Sequence, residues 1–103
     1  MTEAELFFGR DIAGGGVVSD ADWQCFLDQE VTPRFPDGLT VEEASGQWKG
    51  ADGIVREKSK RLTIVLVGAA GEEAKLSAVR DAYKRRFQQD AVLLVERQAC
   101  AAF

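Results

Sequence analysis

The sequence predicts an α+β fold of the ferredoxin-like kind: a βαββαβ sandwich in which two helices cover one face of a four-stranded antiparallel sheet. Three observations carry this reading. Four segments rich in β-branched and aromatic residues are bounded by glycine-bearing turns. Two stretches place apolar residues at helical spacing, one ahead of the middle strands and one behind them. The chain has 103 residues, with no internal repeat, linker or low-complexity tract, so residues 1–103 read as a single domain.

Glu5-Leu6-Phe7-Phe8-Gly9-Arg10 is the first strand, broken by Ala13-Gly14-Gly15-Gly16, whose three glycines are entropically costly to order. Ser19 opens the first helix, because its hydroxyl can accept an N–H of the first turn. Asp20 and Asp22 suit the positive end of that helix. Trp23, Phe26, Leu27 and Val31 form its apolar stripe, and Pro33 and Pro36 stop it. A second strand runs from Leu39 to Trp48, followed by a hairpin loop at Lys49–Gly53 in which Asp52-Gly53 supplies positive φ angles. The third strand, Ile54 to Val67, is long enough to suggest a bulge near Lys58-Ser59. Glu72 and Glu73 open the second helix, which carries Leu76, Val79, Tyr83 and Phe87 on one face. Lys84, Arg85 and Arg86 sit in its last turns, where the helix dipole favours cations. Ala91 to Val95 is the fourth strand, with scope to extend towards Phe103.

Composition removes many activities. Lys+Arg 13 against Asp+Glu 17 leaves a net charge of −4, which opposes nucleic-acid binding. The basic run Lys84-Arg85-Arg86 is already accounted for by its helix end. An RNA-recognition module would need aromatics on two strands, and Leu62–Val67 has none to partner Phe7 or Phe8. The chain contains no His and no Asn. Serine and cysteine nucleophiles therefore lack a histidine base, and a haem-handling barrel lacks its usual ligand. An acylphosphatase-like site could use Arg10 but has no Asn to position water. Cys25 and Cys100 form no C-x-x-C pair and read as free thiols. The carboxylates are spent on helix ends and strand surfaces, so no metal site and no cofactor is expected. Gly14-Gly15-Gly16 fits neither dinucleotide nor P-loop spacing. No apolar run approaches the length of a membrane span, and the first residues do not have the shape of a signal peptide. The expected location is cytoplasmic for the chain as it stands, or secreted or envelope-bound if a leader is removed from it.

The strands make a further prediction. Leu6-Phe7-Phe8, Leu62–Val67 and Val92–Val95 read as apolar on both faces, yet two helices cover only one. The expectation is a homodimer packed sheet to sheet, enclosing a cavity as dimeric α+β barrels do. The alternative is a C-terminal tail or long loop folded over the sheet.

One polar constellation remains. Gln47 and Trp48 end the second strand, and the hairpin returns through Arg56 and Glu57. With Arg10 after the first strand, these residue types suit a small polar or anionic ligand, bound by Arg10, Gln47, Trp48 and Arg56. A cofactor-independent enzyme is the alternative, with Glu57 as general base and Arg10 or Arg56 stabilising an anionic intermediate. A purely structural partner of another protein is the third class, with the bare sheet face as its interface. A solvated hairpin laced by ion pairs explains the same ribbon without any ligand.

At these residues the sequence resembles a group of small bacterial proteins known only as a domain of unknown function, many of them secreted or lipid-anchored. The resemblance rests on Phe8-Gly9-Arg10, on Trp23 with Phe26-Leu27, and on the run from Val31 to Val41, its most specific part. It continues through Gly46-Gln47-Trp48, Arg56-Glu57, Ser59-Lys60, Tyr83-Lys84 with Phe87, and Cys100. It spans nearly the whole chain and implies no activity. The first residues of this chain do not read as the export signal expected of many members.

Overall fold

In the computed structural model, which describes Met1–Phe103, the elements follow the expected order. They are β1 (Thr2–Gly9), α1 (Asp20–Phe26), β2 (Thr40–Gly50), β3 (Gly53–Leu66), α2 (Glu72–Phe87) and β4 (Leu93–Gln98). The strands lie in the order β2-β3-β1-β4 and every neighbouring pair is antiparallel, the ferredoxin-like arrangement.

Ser19 caps α1 as its sequence predicts, its hydroxyl accepting the Asp22 N–H at 3.0 Å. The helix then widens into a π-helical turn over Leu27–Val31, closed by the Thr32 N–H donating to the Leu27 carbonyl. Pro33 has no N–H with which to prolong a regular helix, and the wider turn brings both Leu27 and Val31 into the core.

Strand pleating assigns the faces. Ala4, Leu6 and Phe8 of β1 and Leu62, Ile64 and Leu66 of β3 turn towards the helices and are buried. Trp23, Phe26, Leu27, Val31, Leu76, Val79, Tyr83 and Phe87 of the helical segments pack against them in that core. Phe8, Phe26 and Tyr83 meet edge-on or tilted with ring centroids 4.8–5.8 Å apart. Each such pair adds about 0.5–1.5 kcal/mol beyond area burial.

Two expectations about β3 are corrected. Its ladder to β2 is unbroken from Thr40↔Thr63 to Gly50↔Gly53, and its ladder to β1 is unbroken from Thr2↔Leu66 to Gly9↔Ser59, so it has no bulge. The strand is long because it has two jobs. Ser59–Leu66 lies between β1 and β2, whereas Gly53–Glu57 pairs with β2 alone and projects as a two-stranded ribbon. At the tip, Ala51-Asp52 forms the turn, and only Gly53 takes a positive φ, 121°.

The second face is also more polar than the strands suggested. Glu3, Glu5, Glu42, Arg61 and Arg97 share it with Phe7, Val65, Leu93 and Val95. They pair across the strands, Arg61 with Glu42 at 2.9 Å and Arg97 with Glu3 and Glu5 at 3.1 and 3.0 Å. Runs that look doubly apolar when read strand by strand are thus interrupted by charges from neighbouring strands. The C-terminal tail does not bury itself on this face, since Phe103 is 96% exposed. No helix is long and apolar enough to cross a membrane.

Candidate functional site

Past the ends of the helices, two charge clusters form on opposite faces of the sheet. On the helix side, Arg10 and Lys60 meet Asp20 and Glu43. Lys60 donates to both carboxylates, to Asp20 at 3.2 Å, while Arg10 lies 3.2 Å from Asp20 and 3.8 Å from Glu43. Arg10 also donates through Nε to the Val18 carbonyl at 2.9 Å. Glu43 comes to Lys60 as its cross-strand partner, and Asp20 comes from the first turn of α1. The hydrogen bond to Glu43 holds the Lys60 ammonium above the usual lysine range. The hydrogen bond from Lys60, with the charges of Lys60 and Arg10, holds the Asp20 carboxyl below its usual range. Two cations and two anions satisfy one another here and tie α1 to three strands.

On the open side lies a cleft of about 660 Å³, lined from all four strands. Trp48 and Gly46 come from β2, Val55, Glu57 and Ser59 from β3, Phe7 and Gly9 from β1, and Leu93 from β4. Two loops close its rim, Asp11–Ala13 after β1 and Gln88–Ala91 after α2. Gln89 fastens these loops together, its side-chain amide donating to the Asp11 carbonyl at 2.7 Å.

Glu57 occupies a made place in this cleft. Its Oε2 accepts the Asp11 backbone N–H at 3.1 Å, and its carboxylate lies flat over Gly9. A Cβ at residue 9 would stand 2.7 Å from Glu57 Oε2, so only glycine leaves room for the carboxylate there. Beneath, on the core side, the Tyr83 hydroxyl donates to the Gly9 carbonyl at 2.6 Å. Burial, with the Glu57 charge adding to it, pushes the Tyr83 phenol well above its usual range, so it remains a neutral donor. The lining contains Asp11, Glu57 and Asp90 and no lysine or arginine.

The structure divides the residues singled out from sequence. Trp48 and Glu57 line the cleft from the open-side face, and Gln47 borders it although its register with Arg56 turns its side chain to the other face. Arg10 does not, being engaged by Asp20, Glu43 and Val18. Arg56 pairs with Gln47 across the ribbon on the helix-side face, so the pleat turns its side chain away from that of Glu57. Sequence reasoning missed Gly9, Asp11, Gln89 and Asp90. The glycine at the end of an aromatic strand was the one readable signal, since glycine in a strand often marks a close approach. No group of His, Cys, Asp or Glu is arranged to hold a metal ion.

Two solved structures share the fold. A phage SAM lyase in complex with S-methyl-5′-thioadenosine superposes with a TM-score of 0.72 at 14% identity, covering 94% of this chain and 80% of that one. A phage SAM lyase in the apo state gives a TM-score of 0.68 at 16% identity, covering 93% and 78%. Among curated proteins, none matches the sequence. Residues 3–103 match the family of proteins of unknown function DUF3574, and the chain belongs to that family.

Proposed function

We propose that the cleft binds a small organic cation bearing a flat ring, with SAM, a nucleoside sulfonium, as its representative. Glu57 is the carboxylate that faces the positive charge. The observation that carries this reading is the lining: three carboxylates, the rings of Trp48 and Phe7, and no lysine or arginine. A fixed carboxylate attracts a cation, and an aromatic face at the rim adds stacking and cation–π attraction. A volume near 660 Å³ is ordinary for a small-molecule site. An anionic ligand held by Arg10 and Arg56 fits less well, because one guanidinium is engaged and the other points away from the cleft. The shared fold of a SAM lyase carrying S-methyl-5′-thioadenosine supports the choice of ligand class.

The test is calorimetric titration of SAM into the parent protein, Glu57→Gln and Trp48→Ala. Glu57→Gln is expected to weaken binding about tenfold or more, the worth of one charge-assisted contact. Trp48→Ala weakens it severalfold. Unchanged affinity in both variants, or no binding to the parent, overturns the proposal. Fold neighbours that are lyases favour an enzymatic second reading, with Glu57 as general base. In that reading Glu57 takes a proton from the carbon next to the sulfonium-bearing one as the C–S bond breaks, giving an alkene amino acid and neutral S-methyl-5′-thioadenosine. Release of both products, lost in Glu57→Gln, would establish it, and binding without release leaves a binding module.

A further inference from the structure

The projecting ribbon uses one face and leaves the other bare. Its open-side face, with Trp48 and Val55, lines the cleft. Its opposite face carries Gln47, Lys49, Ile54, Arg56 and Lys58, brought together by the pairs Gln47↔Arg56, Lys49↔Ile54 and Ser45↔Lys58. All five are exposed, and Lys49, Arg56 and Lys58 make no ion pair or side-chain hydrogen bond. Elsewhere most cationic side chains do: Arg10, Arg34, Lys60, Arg61, Lys84 and Arg97 all pair with carboxylates. Seven cations have no ion pair, four on α2 and these three, which share one face of the ribbon with no acidic side chain among them, in a chain whose net charge is −4.

The matching surface is the cleft, where Asp11, Glu57 and Asp90 have no cationic neighbour in the lining. A two-stranded ribbon alone is marginally stable in water, and Ile54 leaves apolar surface exposed at the tip of this one. Both features are relieved if the bare face is covered by an acidic surface. Within one chain the two surfaces cannot meet, because the pleat sends Arg56 and Glu57 to opposite sides of the same strand.

We propose that the basic face of the ribbon docks against the acidic rim of the cleft of a second copy of this chain, setting Arg56 and Lys58 beside that copy's Asp11 and Asp90. Each cleft is then walled by its own Trp48 and flanked by a neighbouring ribbon, whose Arg56 and Lys58 compensate Asp11 and Asp90 at the rim and leave Glu57 facing the interior of the cleft. The contact joins unlike surfaces, so two copies can exchange ribbons reciprocally, or the contact can repeat head to tail from copy to copy. This rests on the cleft described above and is independent of which ligand the cleft takes.

The test is light scattering on the parent protein and on two charge-reversed variants, without ligand. One variant carries Arg56→Glu with Lys58→Glu, and the other Asp11→Lys with Asp90→Lys. These side chains are exposed and unpaired, so circular dichroism should show both variants folded. The parent is expected at a whole multiple of 11.3 kDa, each variant alone as a monomer, and an equal mixture of the two reassociated. A monomeric parent at high micromolar concentration overturns the interface, as does association that survives either reversal. Titration of SAM into the monomeric Arg56→Glu, Lys58→Glu variant separates the two proposals. Binding there leaves the ligand reading standing when the interface has failed, and association without SAM binding leaves the interface standing when the ligand reading has failed.

Discussion

The chain has two tryptophans, and they report on two differently built regions. Trp23 sits in the helix-covered body, 3% exposed, against Phe8 at 5.0 Å and Phe26 at 5.8 Å between ring centroids. Trp48 sits on the projecting ribbon, 57% exposed, at the rim of the cleft. The same division runs through the charges. In the body, Arg10, Lys60, Asp20 and Glu43 compensate one another. On the cleft side, Asp11, Glu57 and Asp90 have no cation within the lining, and the ribbon's cations have no anion. Groups that satisfy each other fasten the fold. Groups left unsatisfied, on a surface shaped like a pocket, are the ones available for a ligand or a neighbour.

The sharpest way to break this contrast is to truncate each tryptophan in turn. Trp23→Ala should cost about 3–5 kcal/mol in urea unfolding followed by circular dichroism, whereas Trp48→Ala should stay within about 0.5 kcal/mol. Equal losses would mean that the ribbon is part of the core.

Two lysines two residues apart make the next comparison. Lys60 is nearly buried between two carboxylates and Lys58 is free. Lys60→Met should cost about 1–2 kcal/mol and Lys58→Met close to nothing, the exposure of Asp20 and Glu43 keeping the first figure modest. The network also sets a pH window. Asp20 titrates below its ordinary value of 3.8, so its contribution is present above that value and is lost as pH falls through the lower folded value. Lys60 titrates above its ordinary 10.5, so its contribution is present below that value and is lost as pH rises through the higher folded value. Thermal melts of Lys60→Met should be flatter than the parent's at both extremes.

Gly9→Ala separates site from scaffold in a single substitution. The added Cβ would displace the Glu57 carboxylate, the far end of a flexible side chain, so stability should change by less than about 1 kcal/mol. SAM affinity should nonetheless fall about as far as in Glu57→Gln, roughly tenfold. Loss of stability with affinity intact would contradict the place given to Glu57.

The secondary-structure skeleton was legible because each element carried its own local signal. Ser19 marked a helix start, the 23–26–27–31 stripe marked a buried face, and glycine-bearing turns separated the strands. Trp48 and Glu57 share the cleft side of the ribbon, whereas Arg10 and Arg56, gathered with them from sequence, lie off it. The reason is physical: proximity along a hairpin says nothing about face until the register is known, and a one-residue step reverses it. Nor could Asp20 and Glu43 be assigned to Arg10 in advance, since they arrive from α1 and from β2. The supposed doubly apolar sheet failed for a related reason. Each strand was read alone, whereas Glu42, Arg61 and Arg97 dilute the second face only once the strands lie side by side.

The smallest effect expected lies far from the cleft. Glu73 beside Glu96 pushes the Glu96 carboxyl above its ordinary 4.5, through a shared hydrogen bond and then burial. A raised carboxyl favours the folded state most at low pH, and that advantage fades as pH rises through the folded value. Glu96→Gln should therefore stabilise the protein at neutral pH by about 0.3 kcal/mol, a rise of about 1–2 °C in Tm, and leave ligand binding untouched.

The central claim is that Glu57 reads positive charge, and the most direct measurement is the ratio of affinities for SAM and for neutral S-methyl-5′-thioadenosine. The parent should prefer SAM, and Glu57→Gln should collapse that preference about tenfold while leaving the neutral ligand nearly unaffected. An identical ratio in parent and variant would show that Glu57 does not face the ligand's charge, and the cleft would need another reading.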